Sequence, residues 1–205
     1  MGAPLTMPDS AEHLQSHFST RHFRDALGSF ASGVTIVTTL DAQGQPAGLT
    51  VSSFASVSLE PPLVLWSLLN ASSHLQDFLH CQHFAINVLA ADQLLLAQRF
   101  ATPGLDRFRN LQTVRAASGV PLLPGALAWF ECRRHAQHLA GDHTIFIGQV
   151  ERVGYRGAWP RELPGADPAQ CPQALAPLLY HRGILHQGTL PAPAAAHSRQ
   201  TNKKS

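Results

Sequence analysis

The ten residues Leu49-Thr50-Val51-Ser52-Ser53-Phe54-Ala55-Ser56-Val57-Ser58 carry five hydroxyls among small apolar side chains. Two uses fit that pattern: an edge strand turning its hydroxyls to water, or a lining for a planar polar ligand. In the second, main-chain N–H and C=O groups at a strand end bond the edge of a heterocycle while Val51 and Val57 pack on its face. Downstream, Asn70-Ala71-Ser72-Ser73-His74-Leu75-Gln76 sets Ser73 three residues before Gln76, the spacing of a capping box at a helix start. Free N–H groups at a helix N-terminus also attract phosphate, and the two uses are compatible. Gly141-Asp142-His143-Thr144 offers an imidazole able to give a hydrogen bond or a proton near neutral pH. Asp142 is placed to accept from its own turn backbone.

What is missing narrows the chemistry. The only lysines are Lys203 and Lys204, at the C-terminal end of the sequence. That argues against lysine-anchored Schiff-base catalysis, P-loop nucleotide hydrolysis and the kinase arrangement. Any anion must be held by arginine, histidine, hydroxyls or backbone amides. The close histidine pairs, His13/His17, His80/His83 and His135/His138, join no Cys or carboxylate pattern with zinc spacing, so no metal is expected. Neither a G-x-S-x-G elbow nor a G-x-G-x-x-G loop occurs, which disfavours a hydrolase elbow and a Rossmann dinucleotide site. Fifteen basic against 13 acidic residues leave a formal charge of +2, too little for a nucleic-acid-binding excess. No apolar run approaches the roughly 20 residues of a membrane span. Cys81, Cys132 and Cys171 are odd in number and far apart, and the first residues show no basic start or apolar core of a secretory signal. The expected setting is the cytoplasm.

These candidates need a scaffold of short strands. At 205 residues, 44% hydrophobic and 14% charged, the chain has material for one sizeable domain. Phe23, Ala26, Leu27 and Phe30 recur at helical spacing and predict a helix from 19 or 20 to 32. A β-branched run predicts a strand over 34–40, a turn cluster at 41–46, and a returning hairpin strand over 47–54. Further strands are expected at 63–68, 84–89 and 178–181, with helices over 73–80 and 92–100. Two long strands, 126–138 and 143–153, are joined by a tight turn at 140–142. Residues 102–124 are irregular, and 154–177 form a Pro/Gly-rich insert. Residues 1–18 read as a loose arm, 19–189 as the folded domain and 190–205 as a disordered tail. Short strands in hairpins with a few helices predict a mainly β fold with helical additions, an antiparallel barrel.

The motifs fall in a recognisable order. Phe30-x-x-Gly33-Val34 leads to Thr50-Val51-Ser52-Ser53-Phe54-x-Ser56-Val57-Ser58 and Pro61-Pro62, then to Phe84-Ala85-Ile86-Asn87-Val88-Leu89. Phe100-Ala101, Asp106-Arg107-Phe108 and Leu123-Pro124-Gly125-Ala126 follow. Gly141-Asp142-His143-Thr144 with Gly148-x-Val150 and Pro177-Leu178-Leu179-Tyr180-x-Arg182-Gly183 complete the series. In this order, over roughly residues 20–187, the sequence resembles the flavin reductase-like family of FMN-binding split barrels. The resemblance implies an antiparallel, Greek-key-like split β-barrel that uses NADH or NADPH to reduce FMN, or FAD, by hydride transfer to flavin N5. It implies that Thr50, Val51, Ser52, Ser53, Ser56 and Val57 line the ring and ribityl chain. Asn70, Ser72 and Ser73 match the phosphate-side segment, His143 the histidine beside the nicotinamide, and Arg182 the family's late arginine. It further implies a homodimer whose reduced flavin feeds a separate monooxygenase. An FMN-binding electron-transfer module and a pyridoxine-phosphate-type split-barrel oxidase are the alternatives. The sequence departs from the family at His74, where many relatives carry threonine, and at Ile184-Leu185, where an aromatic is common nearby.

Overall fold

The computed structural model describes residues 16–156 and 176–187. The elements run α1 (Thr20–Leu27), β1 (Ser32–Gly33), β2 (Thr35–Leu40), β3 (Pro46–Val51), β4 (Ala55–Leu59), β5 (Pro62–Leu69), α2 (Leu75–His80) and β6 (His83–Val88). After a 3-10 turn at Ala91–Gln93 come α3 (Leu94–Ala101), β7 (Val114–Arg115), β8 (Pro121–Leu122), β9 (Ala128–Ala140), β10 (His143–Tyr155), β11 (Leu178–His181) and β12 (Ile184–Gln187). Most of the expected 1–18 arm, most of the 154–177 insert and the whole 190–205 tail lie outside the described residues.

β2 is buried on both faces, and its alternation explains how. Val37 projects into a cluster with Trp66, Phe78, Phe84 and Phe146, while Ile36 joins Val34, Ala97, Phe100 and Leu178 on the opposite side. Its threonines tolerate burial because each hydroxyl has a carbonyl to bond: Thr35 gives to Val51 O at 3.2 Å, Thr38 to Pro121 O at 2.6 Å and Thr39 to His83 O at 2.8 Å. Around this strand an antiparallel seven-stranded sheet forms in the order β3-β2-β6-β9-β10-β5-β4. Its interior is filled by Trp66, stacked on Phe146 at 4.8 Å and met edge-on by Phe78 at 4.8 Å. Gly148 lies against this core, where a Cβ would stand 2.5 Å from Phe84 Cζ. The architecture is the expected mainly β, antiparallel fold of split-barrel type. α3 covers β2 and β3, and β1, β11 and β12 form a separate small sheet.

Three expectations change. The run read as one returning strand breaks after Val51, and a new strand, β4, begins at Ala55. β3 and β4 stand at opposite ends of the sheet order although only three residues separate them. The break holds because Ser53 takes the part of a backbone partner: its Oγ accepts from Ser67 N at 2.9 Å and donates to Ser67 O at 3.0 Å. Ser73 caps no helix. α2 starts after His74, whose N–H bonds Ser72 Oγ at 3.3 Å and whose Nδ1 pairs with Asp77 Oδ2 at 2.9 Å. α1 ends at Leu27, short of the expected 32, and its apolar residues Phe23 and Leu27 remain more than half exposed.

Candidate active site

The three-residue crossing at 52–54 bridges the seam between the two ends of the sheet. On its β3 side, Thr50 donates its hydroxyl to Ala97 O of α3 at 2.7 Å. Val51 turns inward and is only 8% exposed, so it can meet a ligand through its backbone alone. The expectation that its side chain packs on a ligand face is thereby corrected: Thr50 and Val51, adjacent in one strand, project to opposite faces. Ser52, Ser56 and Val57 are exposed, with Ser56 and Val57 at a register shift where β4 meets β5.

β5 carries the seam to the next cluster. Leu69 pairs with His143 and Ser67 with Ile145 in the β5–β10 ladder. Directly paired residues share a face, so His143, Ile145 and Ile147 lie beside Leu65, Ser67 and Leu69 on the side away from the aromatic core. This face is apolar and half-buried, with Ser67 and its partner Ser53 as polar points. His143 stands two pairs beyond Ser67 in the ladder, about 7 Å along the strand. The Gly141-Asp142 loop has φ +63° at Gly141, the left-handed region a glycine adopts without a Cβ clash.

Asp142 does not chiefly brace its own turn. Its Oδ1 lies 2.7 Å from His143 Nδ1. The hydrogen bond from that imidazole holds the Asp142 carboxyl below the usual carboxylate range, its own amide adding a lesser part. Asn70 holds the turn instead. Its N–H gives to Asp142 O at 2.8 Å, its Nδ2 gives to Gly141 O at 3.2 Å, and its Oδ1 takes the Thr144 hydroxyl at 2.7 Å. Asn70 thus ties its own segment and the histidine turn, two separate motifs in the sequence, into one structure.

Arg107 is the residue that sequence reasoning left without a role. It and His74 line a cavity of about 130 Å³ that also includes Gly48 of β3. Its guanidinium gives to Gly48 O at 2.7 Å and Thr102 O at 3.2 Å, while the buried Nε has no partner. Burial lowers its pKa from the usual arginine value, and no carboxylate among the described residues lies within ion-pair distance of it. Neighbouring Asp106 accepts from the amides of Phe108 and Arg109 instead. With no ion-pair partner among the described residues, Arg107 shares this cavity with His74 and Asp106 and suits an anionic group. The signal was present in the sequence: without interior lysine, the arginine of Asp106-Arg107-Phe108 was the cation to ask about.

Arg182 lies in the β11–β12 turn with φ +49°, its N–H bonded to Gly28 O at 3.0 Å beside α1. A larger cavity of about 290 Å³ opens by Asp41, Asp77, His80 and Cys81, and none of the expected site residues lines it. Neither described cysteine offers a ready thiolate: burial pushes the Cys81 thiol up and the Cys132 thiol up to about 12. Among the described residues no group of three or more His, Cys, Asp or Glu side chains could hold a metal ion.

The site therefore combines hydroxyls and strand-end backbone, an apolar face flanked by an oriented imidazole, and an arginine with no ion-pair partner among the described residues. A planar ring with a polar edge and a phosphate tail fits that set. The chain is 49% identical over 156 residues to the FMN reductase (NADH) SmoA of Agrobacterium fabrum, across 76% of this chain and 88% of that protein. It is 45% identical over 148 residues to the reductase component of the flavin-dependent trigonelline monooxygenase of Acinetobacter baylyi, across 68% of this chain but 48% of that relative, so it spans about half that protein's length. Among solved structures it resembles the NADH:FAD oxidoreductase SgcE6 of Streptomyces globisporus in complex with NAD and FAD fragments, with TM-score 0.68 and 34% identity over 85% of this chain and 94% of that one. The model of the flavin reductase like domain matches residues 27–189, and the chain belongs to that family.

Proposed function

We propose that this chain is an NAD(P)H-dependent flavin reductase that passes its reduced flavin, FMN or FAD, to a separate monooxygenase. The observation that carries the reading is the oriented His143 imidazole on the same sheet face as the Ser53–Ser67 bridge. When bound, the flavin supplies the hydride acceptor and the redox chemistry. The protein's part is to hold two flat rings in contact, which is proximity and orientation. An ionised carboxylate only accepts, so the proton on His143 Nδ1 points at Asp142 and Nε2 is left to face the nicotinamide. Neutral His143 then accepts from the carboxamide N–H through Nε2, and protonated His143 donates to the carboxamide oxygen. Ser52, Ser56 and the strand-end backbone suit the ring edge, while Ser72, Ser73, His74 and Arg107 suit the phosphate.

A domain over 19–189 accords with the matched span. Oxygenase supply is supported by relatives named as reductase components. The uncovered apolar face of Phe18, Phe23, Leu27 and Phe30 supports a homodimer. No described helix is long and apolar enough to cross a membrane, which accords with a cytoplasmic enzyme.

The test follows nicotinamide absorbance in air for NADH and NADPH, each with and without added FMN or FAD. Fast consumption that needs a flavin is expected. A chain that binds FMN yet consumes neither nicotinamide would overturn the reading and put the electron-transfer module in its place.

A further inference from the structure

We infer that Asn70 is a positioning residue for His143 rather than a contact to the flavin phosphate. The inference rests on the reductase reading above and changes the role that the family resemblance assigns to this residue. The β5–β10 ladder ends at the Leu69–His143 pair. Beyond it the hairpin tip, residues 139–142, is exposed, and Leu139 and Ala140 pair only with Thr144 and His143 of the same hairpin. Asn70 takes over where the ladder stops. Its main-chain N–H and side-chain Nδ2 hold the carbonyls of Asp142 and Gly141, the two residues before His143, and its Oδ1 holds the hydroxyl of Thr144, the residue after it.

A primary amide has two N–H donors and one carbonyl oxygen. One donor and the oxygen are already engaged inside the protein, and both bonds end on residues that flank His143. With the Gly141 and Asp142 carbonyls secured from β5, the Asp142 carboxylate remains on His143 Nδ1. Asn70 thus fixes the tip relative to β5, Asp142 fixes the ring relative to the tip, and Nε2 is aimed as a result. On this reading phosphate recognition is left to other residues, with Arg107, which lines a cavity with His74, as the candidate cation.

The experiment uses the full chain with Asn70→Ala, Thr144→Val, His143→Ala and the double variant Asn70→Ala/His143→Ala. Thr144→Val keeps shape while deleting one of the three bonds, so it remains informative if Asn70→Ala folds poorly. Equilibrium binding of FMN and of riboflavin is measured by fluorescence quenching, and anaerobic reduction of FMN by NADH at saturating flavin. The expected result is a reduction rate about tenfold lower for Asn70→Ala, and a smaller loss for Thr144→Val, as deletion of one or two hydrogen bonds gives. The FMN-to-riboflavin affinity ratio stays at the wild-type value. In the His143→Ala background, Asn70→Ala has no further effect on the rate. A collapse of the FMN-to-riboflavin ratio, or losses that multiply in the double variant, would overturn the inference. If the wild-type chain binds FMN but is not reduced by NADH, the reductase reading fails by itself. Amide hydrogen exchange then decides the clamp: faster exchange at 141–144 in Asn70→Ala sustains it, and unchanged exchange rejects it.

Discussion

Two hairpin tips in this protein are built from the same residue types and held in opposite ways. In the β2–β3 turn, Asp41 Oδ1 accepts from Gln43 N and Gln45 N, both at 2.8 Å, and Gly44 takes φ +73°. That turn satisfies itself. In the β9–β10 turn, the carbonyls of Gly141 and Asp142 are held by Asn70, just past the end of β5, and the Asp142 carboxylate bonds the neighbouring imidazole. A turn that only reverses the chain uses its aspartate to close the loop. A turn held from outside leaves its aspartate free to orient a functional side chain.

The comparison can be broken most strongly at the ring itself. His143→Ala is expected to slow FMN reduction by NADH about a hundredfold, the order of loss from misplacing a reactant, with FMN affinity close to wild type. Unchanged reduction in rapid-mixing kinetics would remove His143 from the mechanism. Next in size are matched alanine substitutions at the two aspartates. Asp142→Ala should lower kcat/KM for NADH about tenfold, roughly the value of one good hydrogen bond, and barely move the urea midpoint. Asp41→Ala should do the reverse, costing about 1 kcal/mol of stability with NADH kinetics unchanged. Equal effects of the two on either readout would erase the distinction.

A third tip, at 116–119, sharpens it with the smallest effect. Here the bracing group is a buried carboxylate on β9: Glu131 Oε1 takes Ser118 N at 2.6 Å and Oε2 takes Arg152 at 3.2 Å. Burial works to raise the Glu131 pKa, but the hydrogen bonds from Ser118 and the Arg152 charge outweigh it and the carboxyl ends below its ordinary value. A lowered folded pKa means stability that is fully present above the unfolded value, about 4.3 for glutamate, and lost as pH falls through the folded one. Glu131→Gln should therefore flatten the decline of the denaturation midpoint in the acid range. An unaltered pH dependence would place that decline on other carboxylates.

Local pattern made much of this legible in the sequence. The β-branched run of β2, the breaker Pro61-Pro62 before β5 and the tight Gly141-Asp142 loop each announce themselves within a few residues. The site was legible as motifs but not as an assembly. Ser53 reads like its neighbours until its bond to Ser67, 14 residues on, turns one strand into two. Asn70 reads as a helix-start or phosphate residue until its partners, more than 70 residues away, are known. Arg107 could be singled out from the lack of interior lysine, but the cavity that it shares with Gly48 and His74 joins residues far apart in the chain. Val51 differs: strand alternation alone says that it and Thr50 cannot both present side chains to one ligand.

The most direct test of the held turn is the tautomer of His143 itself, read from its ring nitrogen chemical shifts in the neutral form. The Nδ1–H tautomer is expected in the wild-type chain, and its loss in Asp142→Ala. A neutral ring carrying its proton on Nε2 would contradict it, because Asp142 would then not be orienting the imidazole toward the nicotinamide.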